Sequence, residues 1–421
     1  MTNTVGIAKV LTLFSVALLI APGQTRAEET PPLPMDFYEE VPRGEAPSIE
    51  EYVYSEPGSP VSDLTTDSFN LWDSCPAAPE SSGTWLRRGW WAAEIDTFVF
   101  VRKWDIANQT IATDGSIFNP NTLRSIGFGR TMPTAASGRL NLSRFLFRDG
   151  ENRDHRFEFN VMGGGESVAS CHLDSNNANA IQVPFTIDGA ASISFDGASS
   201  MDASYSSQLN SFELNYTVTS RMERDRMELQ PDGQWVRRAN SGVTYHGLAG
   251  MRYIDLSENI FWTANDIISV PGNADPLTGE TGQYNVKTNN DMFGFQAGGG
   301  VAYESHRWSV TLFARGGFAF NDAKSNSNLT YTDPVTGDAR TDIGFANSDR
   351  TGSMPFFIQG GLLGRYHLRP NVSIRAGYEY MYVTAVGLAP HQLNFTPNDG
   401  KVVTSGNPFM HGLTLGGEFY W

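Results

Sequence analysis

The chain has 421 residues, of which 40% are hydrophobic, 12% aromatic and 18% charged, with 42 glycines, 22 prolines and two cysteines. This excludes a wholly disordered chain, and the aromatic and glycine share points away from a helical bundle toward strands and turns. Forty-six acids against thirty bases leave a formal −16 and a pI near 4.8, which does not suit a protein that neutralises phosphates over a basic face, so no nucleic acid is expected as a partner.

Residues 1–27 read as a secretory signal peptide. Lys9 supplies the positive region, Val10 to Ala21 is interrupted only by Thr12 and Ser15, and Thr25-Arg26-Ala27 places small residues for cleavage. The competing reading, an uncleaved anchor, is weaker because the apolar run falls short of the ~20 residues of a spanning helix. No other segment reaches that length, so membrane residence would be by strands. Export places Cys75 and Cys171 in an oxidising compartment, where such a pair is a disulfide candidate worth ~4–5 kcal/mol across so long a loop. Two unpaired thiols are the alternative. The histidines are scattered singly, so no metal site is expected, and no cofactor.

Residues 28–84 form an acidic, proline-rich stretch. Between Glu28 and Glu80 thirteen acids face one base, Arg43, among nine prolines. Such a segment buries too little apolar surface to offset its ordering entropy and reads as a disordered periplasmic arm. Docking on a basic partner, or folding into a barrel lumen, is the alternative.

Residues 85–421 read as an all-β domain. From Trp90 the hydrophobic period becomes two, with candidate strands over 90–102, 138–148, 153–163, a run through Phe212, Leu214, Tyr216 and Val218, then 241–255, 291–304, 308–320, 354–368, 372–382 and 410–421. From Trp308 to Phe320, for example, Trp308, Val310, Leu312, Ala314, Gly316, Phe318 and Phe320 alternate with Ser309, Thr311, Phe313, Arg315, Gly317 and Ala319. A soluble sandwich would alternate in the same way, but its strands have a mode of ~5–6 residues, whereas a tilted membrane strand needs ~9–11. The polar faces carry Glu94, Asp96, Arg156, Glu158, Glu213, Arg252, Arg315, Arg365, Arg375, Glu379 and Glu418, which suit a wet or salt-bridged lumen and are read as its lining.

The links supply an independent argument. Short ones at 149–152, 304–306 and 369–371 alternate with long ones at 103–137, 164–204, 256–290, 321–353 and 384–408. This is the pattern of an antiparallel transmembrane β-barrel with tight periplasmic turns, here of about 10 strands (range 8–14) with both termini periplasmic. The link 222–240 is too long for its place and leaves room for two further strands. At the C-terminus Leu413, Leu415, Phe419 and Trp421 occupy alternate positions up to a terminal aromatic. They resemble the signal that the outer-membrane barrel assembly machinery captures by strand addition, so that machinery and outer-membrane lipid are the expected partners.

Several segments carry a family resemblance: Trp90-Trp91-Ala92-Ala93-Glu94, Gly138-Arg139-Leu140-Asn141-Leu142, Gln208-Leu209-Asn210-Ser211-Phe212-Glu213, Gly250 to Leu256, Thr288 to Gln296, Arg375-Ala376-Gly377-Tyr378, Val386 to Gln392 and His411-Gly412-Leu413. In this order the chain resembles the planctomycete "putative beta-barrel porin" family, with its tryptophan-rich first strand and histidine-glycine-led last strand. The resemblance implies an outer-membrane barrel of unknown substrate and brings no catalytic or binding residue with it.

Hidden chemistry is weakly signalled. Asp322 and Asp333 in one long link, with His391 and Asp399 in another, could in principle serve a rim hydrolase, but loop acids are common and no enzyme is expected. Asp174-Ser175-Asn176-Asn177 lacks calcium-loop spacing. Gly163-Gly164-Gly165 and Gly298-Gly299-Gly300 suit loop flexibility and close strand approach better than phosphate cradles. The expectation is a porin-like channel allowing passive diffusion of small solutes through a narrow, ion-lined lumen gated by the long links. A non-conducting structural or surface-display barrel, its lumen braced by salt bridges, is the competing reading.

Overall fold

The computed structural model describes residues 91–103, 111–114, 124–126, 132–151, 153–175, 181–183, 186–187, 190–191, 195, 197–220, 226–229, 235–238, 241–267, 279–305, 307–333, 336–369 and 371–421. The stretches read as a signal peptide (1–27) and an acidic arm (28–84), with Cys75 and Trp90, lie outside them.

Ten strands close a ring: β1 (Trp91–Lys103), β2 (Ala135–Arg148), β3 (Arg153–Gly163), β4 (Ser200–Ser220), β5 (Gly242–Ile267), β6 (Glu280–Glu304), β7 (Trp308–Thr332), β8 (Phe356–Arg369), β9 (Val372–Val383) and β10 (Phe409–Tyr420). Each pairs antiparallel with its sequence neighbours, and β10 closes on β1 from Ala92↔Tyr420 to Lys103↔Phe409. The seam is finished by reciprocal backbone bonds of 3.0 Å between Trp91 and Trp421. A closed ring leaves no unpaired edge in lipid. The link 222–240 holds a separate hairpin, Arg226–Leu229 with Trp235–Arg238, so the ring does not grow by two strands.

One end carries tight turns. Between β2 and β3, Asp149 accepts the backbone N–H groups of Glu151 and Arg153 at 3.0 and 2.9 Å, an Asx-type device that reverses the chain without glycine geometry. The Arg153 backbone N–H foremost, then the His155 ring, hold the Asp149 carboxyl well below the usual carboxylate range.

The apolar faces of the strands point outward. Leu312, Phe318, Ile95 and Leu415 are 62%, 63%, 66% and 67% exposed, far too open for a sandwich core. On β7 the band runs from Trp308 to Phe320, the length a tilted strand needs to cross hydrocarbon with an aromatic at each interface.

Above this band the alternation continues, but its sense inverts. On β5, Ile254, Leu256, Ile260, Trp262 and Ala264 are buried inside while Asp255, Ser257, Asn259, Thr263 and Asn265 face out. The wall leaves lipid for water there, so polar residues move to its outside and apolar ones fill its inside. β5, β6 and β7 are therefore 26, 25 and 25 residues long, roughly twice what a membrane requires. The long links 164–204, 256–290 and 321–353 are thus largely sheet, widened by the strands Glu166–Asp174 on β4 and Ala339–Ser353 on β7. β8, β9 and β10 have only 14, 12 and 12 residues, so the extension rises on one side of the ring. It encloses an aromatic core in which Trp262 meets Phe195 edge-on at 5.1 Å and Phe395 at 5.8 Å. Trp262→Ala is expected to cost about 3–5 kcal/mol. It should expose the extension, but not the lipid-embedded half, to trypsin in the detergent-folded protein.

Gly298-Gly299-Gly300 lies within β6, not in a loop. A Cβ at Gly299 would come within 2.5 Å of the His246 carbonyl oxygen, so the glycines permit close packing of β5 and β6. Gly163 ends β3, and Gly164, at φ +89°, turns the chain between β3 and the next strand.

Candidate functional site in the barrel lumen

Within the lipid-level half of the ring the inner face is ionic. Nearest the tight turns, Arg365 of β8 reaches Glu418 of β10 at 3.0 Å and Glu94 of β1 at 3.7 Å. Arg375 of β9 pairs with Glu94 and lies 3.5 Å from Asp96. Farther along the bore, Arg139 of β2 grips Glu379 of β9 by two bonds of 2.8 Å, and Gln359 and Thr414 donate to the same carboxylate at 3.1 and 2.8 Å. Glu213 of β4 pairs with Arg315 of β7, lies 3.5 Å from Arg252 and accepts Gln296 and Asn215 at 3.0 and 3.1 Å. Gln359 links the groups by accepting from Arg252 at 2.9 Å and Arg315 at 3.1 Å. Arg156 and Glu158 lie on the inner face of β3, either side of the exposed Phe157.

Several of them, Arg139 with Glu379, Arg315 with Glu213 and Arg252 with Gln359, join strands that are not neighbours and so cross the bore. The charges are also dry: Arg252, Glu213 and Glu379 are 2%, 4% and 1% exposed. Taking ions out of water costs several kcal/mol each, which only dense mutual pairing and hydrogen bonding offset.

Above the ionic zone an apolar septum crosses the lumen, and every strand contributes to it. Phe98 and Phe100 come from β1, Ala135 from β2, Met162 from β3, Leu209 from β4, Ile254 and Leu256 from β5, Met292 from β6, Ala319 from β7, Phe357 from β8, Met381 and Val383 from β9 and Met410 from β10. The link 384–408 folds inward and adds Val386 and Leu388 to the same cluster. A ring of this size has little more room than its own side chains fill.

All eleven residues expected to line the lumen lie on the strands of the ring, and the ion pairs above join nine of them. Alternation missed Arg139, although it shares the polar face of its strand between Ser137 and Asn141. Glu258 and Asn290, buried beside the septum, were hidden in a stretch read as a link because the apolar face had changed sides. The leucines and aromatics of the terminal signal, Leu413, Leu415, Phe419 and Trp421, all face outward. Cys171 has no cysteine partner among the described residues, and Cys75 lies outside them.

The four residues considered for a rim hydrolase do not converge on one site, although His391 and Asp399 line the same cavity. Asp322 faces the outer wall, where its bond with Arg350 and a contact with Lys324 at 3.0 Å hold its carboxyl below the usual range. Asp333 accepts Thr336 N–H at 3.2 Å in the turn after β7. His391 contacts Ser405 at 3.2 Å and Asp399 accepts Asn394 at 3.0 Å, both beside a polar cavity of about 290 Å³ inside the mouth. Asn176 and Asn177 lie outside the described residues. Among the described residues no three His, Cys, Asp or Glu side chains gather to hold a metal ion.

A closed antiparallel ring, apolar outside over a membrane's thickness and ionic within, defines a transmembrane β-barrel. The chain belongs to the family described as "Putative beta barrel porin-7 (BBP7)", whose model matches residues 129–421, and porins of this kind reside in the outer membrane. No curated protein matches the chain. Among solved structures it is similar to the outer membrane protease OmpT from Escherichia coli, at 12% identity and a TM-score of 0.33, covering 79% of this chain and 96% of that one. It is also similar to the translocator domain of the autotransporter NalP from Neisseria meningitidis, at 10% identity and a TM-score of 0.31, covering 79% and 88%. A Pseudomonas aeruginosa FadL homologue follows at 12% identity and a TM-score of 0.24, covering 78% and 90%.

Proposed function

We propose that the protein is a porin-type conduit of the outer membrane, with both termini periplasmic, that passes small solutes passively and is shut in the state described. The observation that carries the closed state is the septum: apolar side chains from all ten strands and the inward link 384–408 fill the bore. A hydrophobic constriction blocks ions and polar solutes by dewetting, so flux requires the septum to open. Once open, the ionic zone would give weak charge selectivity, because acids and arginines alternate along it.

The test is planar-bilayer recording of the refolded protein. Intact barrels are expected to stay closed for long periods with brief, small steps, and barrels in which 384–408 is replaced by a short Gly-Ser link should stay open longer. Silence from both would remove the conduit reading. It would favour a non-conducting surface-display barrel, a reading supported by the filled aromatic core of the extension. Faster migration of the unboiled protein in detergent gels and co-fractionation with outer membranes check its placement.

A further inference from the structure

Residues 384–408 hold themselves together as one body. Val386 and Gly406 exchange backbone bonds of 3.0 and 2.9 Å across the base of the segment. Inside it, the Gln392 carboxamide donates to Val403 O at 2.7 Å and accepts Val403 N–H at 2.9 Å. Such a closed, cross-braced segment can move as a unit.

Higher in the mouth it is fastened by Phe395 in the aromatic core, by the Tyr284 hydroxyl donating to Asn394 O at 2.6 Å and by Asn347 donating to Thr396 O at 3.1 Å. Beside the septum a separate, smaller set of bonds holds its base. The Asn290 carboxamide of β6, fully buried, accepts Gly387 N–H at 2.7 Å and donates to Gly387 O at 2.8 Å, reading the peptide as a neighbouring strand would. Asn321 of β7 steadies it, donating to Asn290 Oδ1 at 3.1 Å. Two residues on, Ala389 N–H donates at 2.9 Å to the buried carboxylate of Glu258 on β5, which Arg102 of β1 holds from across the mouth. The segment leaves β9 through Ala385, a non-glycine residue at φ 56°. L-residues rarely adopt this region, and such strain gathers at segments with two arrangements.

We propose that residues 384–408 are a gate, hinged at Ala385 and latched at the level of the septum by Asn290 on Gly387 and Glu258 on Ala389. Displacing the body withdraws Val386 and Leu388 from the septum and unseals the bore. The segment is a link that pairs with no strand of the ring, so displacing it breaks side-chain contacts, those of Phe395 included, and leaves the sheet intact. The proposal deepens the conduit reading and rests on it for its consequence, though not for the latch itself.

The test compares the wild-type full chain with Asn290→Ala, both folded in detergent and checked by the unboiled gel shift. Hydrogen exchange of the peptide spanning 384–395 is read by mass spectrometry, and current is read in planar bilayers. Exchange at least tenfold faster in Asn290→Ala, with longer open dwells, is the expected result. Unchanged exchange would overturn the latch. Faster exchange with no current in either protein would uphold the latch and sink the conduit reading. Should Asn290→Ala fail to fold, Gly387→Pro removes the same donor from the segment side and leaves every barrel strand intact. It is expected to speed exchange across 388–395 in the same way, and slow exchange there would again overturn the proposal.

Discussion

Glu379→Leu is expected to destabilise the folded barrel by about 3–5 kcal/mol, because it leaves Arg139 buried without its carboxylate. Arg139 is 7% exposed and spends two bonds of 2.8 Å on Glu379, while Gln359 and Thr414 would lose their acceptor as well. The double replacement Arg139→Met with Glu379→Leu should recover most of the loss, since exchanging a buried ion pair for apolar side chains is often nearly neutral. Urea unfolding of the lipid-folded protein, followed by tryptophan fluorescence, measures both. The same experiment reports on the lumen. Were the bore filled with water, the pair would behave like an exposed salt bridge, and Glu379→Leu would cost only about 0–1 kcal/mol.

The second large effect belongs to the outer wall. Leu312→Arg, near the middle of the apolar band, is expected to cost about 2–4 kcal/mol when the chain folds into lipid vesicles, whereas a charge near or beyond the interface costs little. Asn326→Arg, fourteen positions farther along the same outward face of β7, should therefore be close to neutral. Both side chains point away from the bore, so neither result depends on what the lumen does. Equal effects at the two positions would mean that the band is not immersed in lipid. Solubility of the mature chain without any detergent would carry the same message.

Much of this fold is legible in the sequence. Strands cross lipid with side chains alternating between two environments, so Trp308 to Phe320 and Val372 to Tyr382 announced both their length and their outward face. The alternation of short and long links led to ten strands, and the ring has ten. The reading lost the chain where that signal changed phase. At Ile254 on β5 and Met292 on β6 the apolar residues move from the outside of the wall to the inside, and a pattern read for one constant face breaks there. A pattern with one constant face therefore assigns the extension to loops and misses Glu258 and Asn290 with it.

The candidate site divides in the same way. Period two placed Arg252, Arg315 and Glu213 on inner faces, because a charge on an otherwise apolar membrane strand has nowhere else to go. It could not pair them. Partners across the bore depend on the tilt of the strands and the summed stagger of ten pairings, which bring β2 opposite β9 and β4 opposite β7. By itself, then, the sequence determined a lipid-facing barrel, its strand number and which faces look inward, since these follow from local alternation and from the thickness of a membrane. Only the tertiary structure brought the septum together: it requires side chains from every strand, and a link folded back among them, to meet at one level.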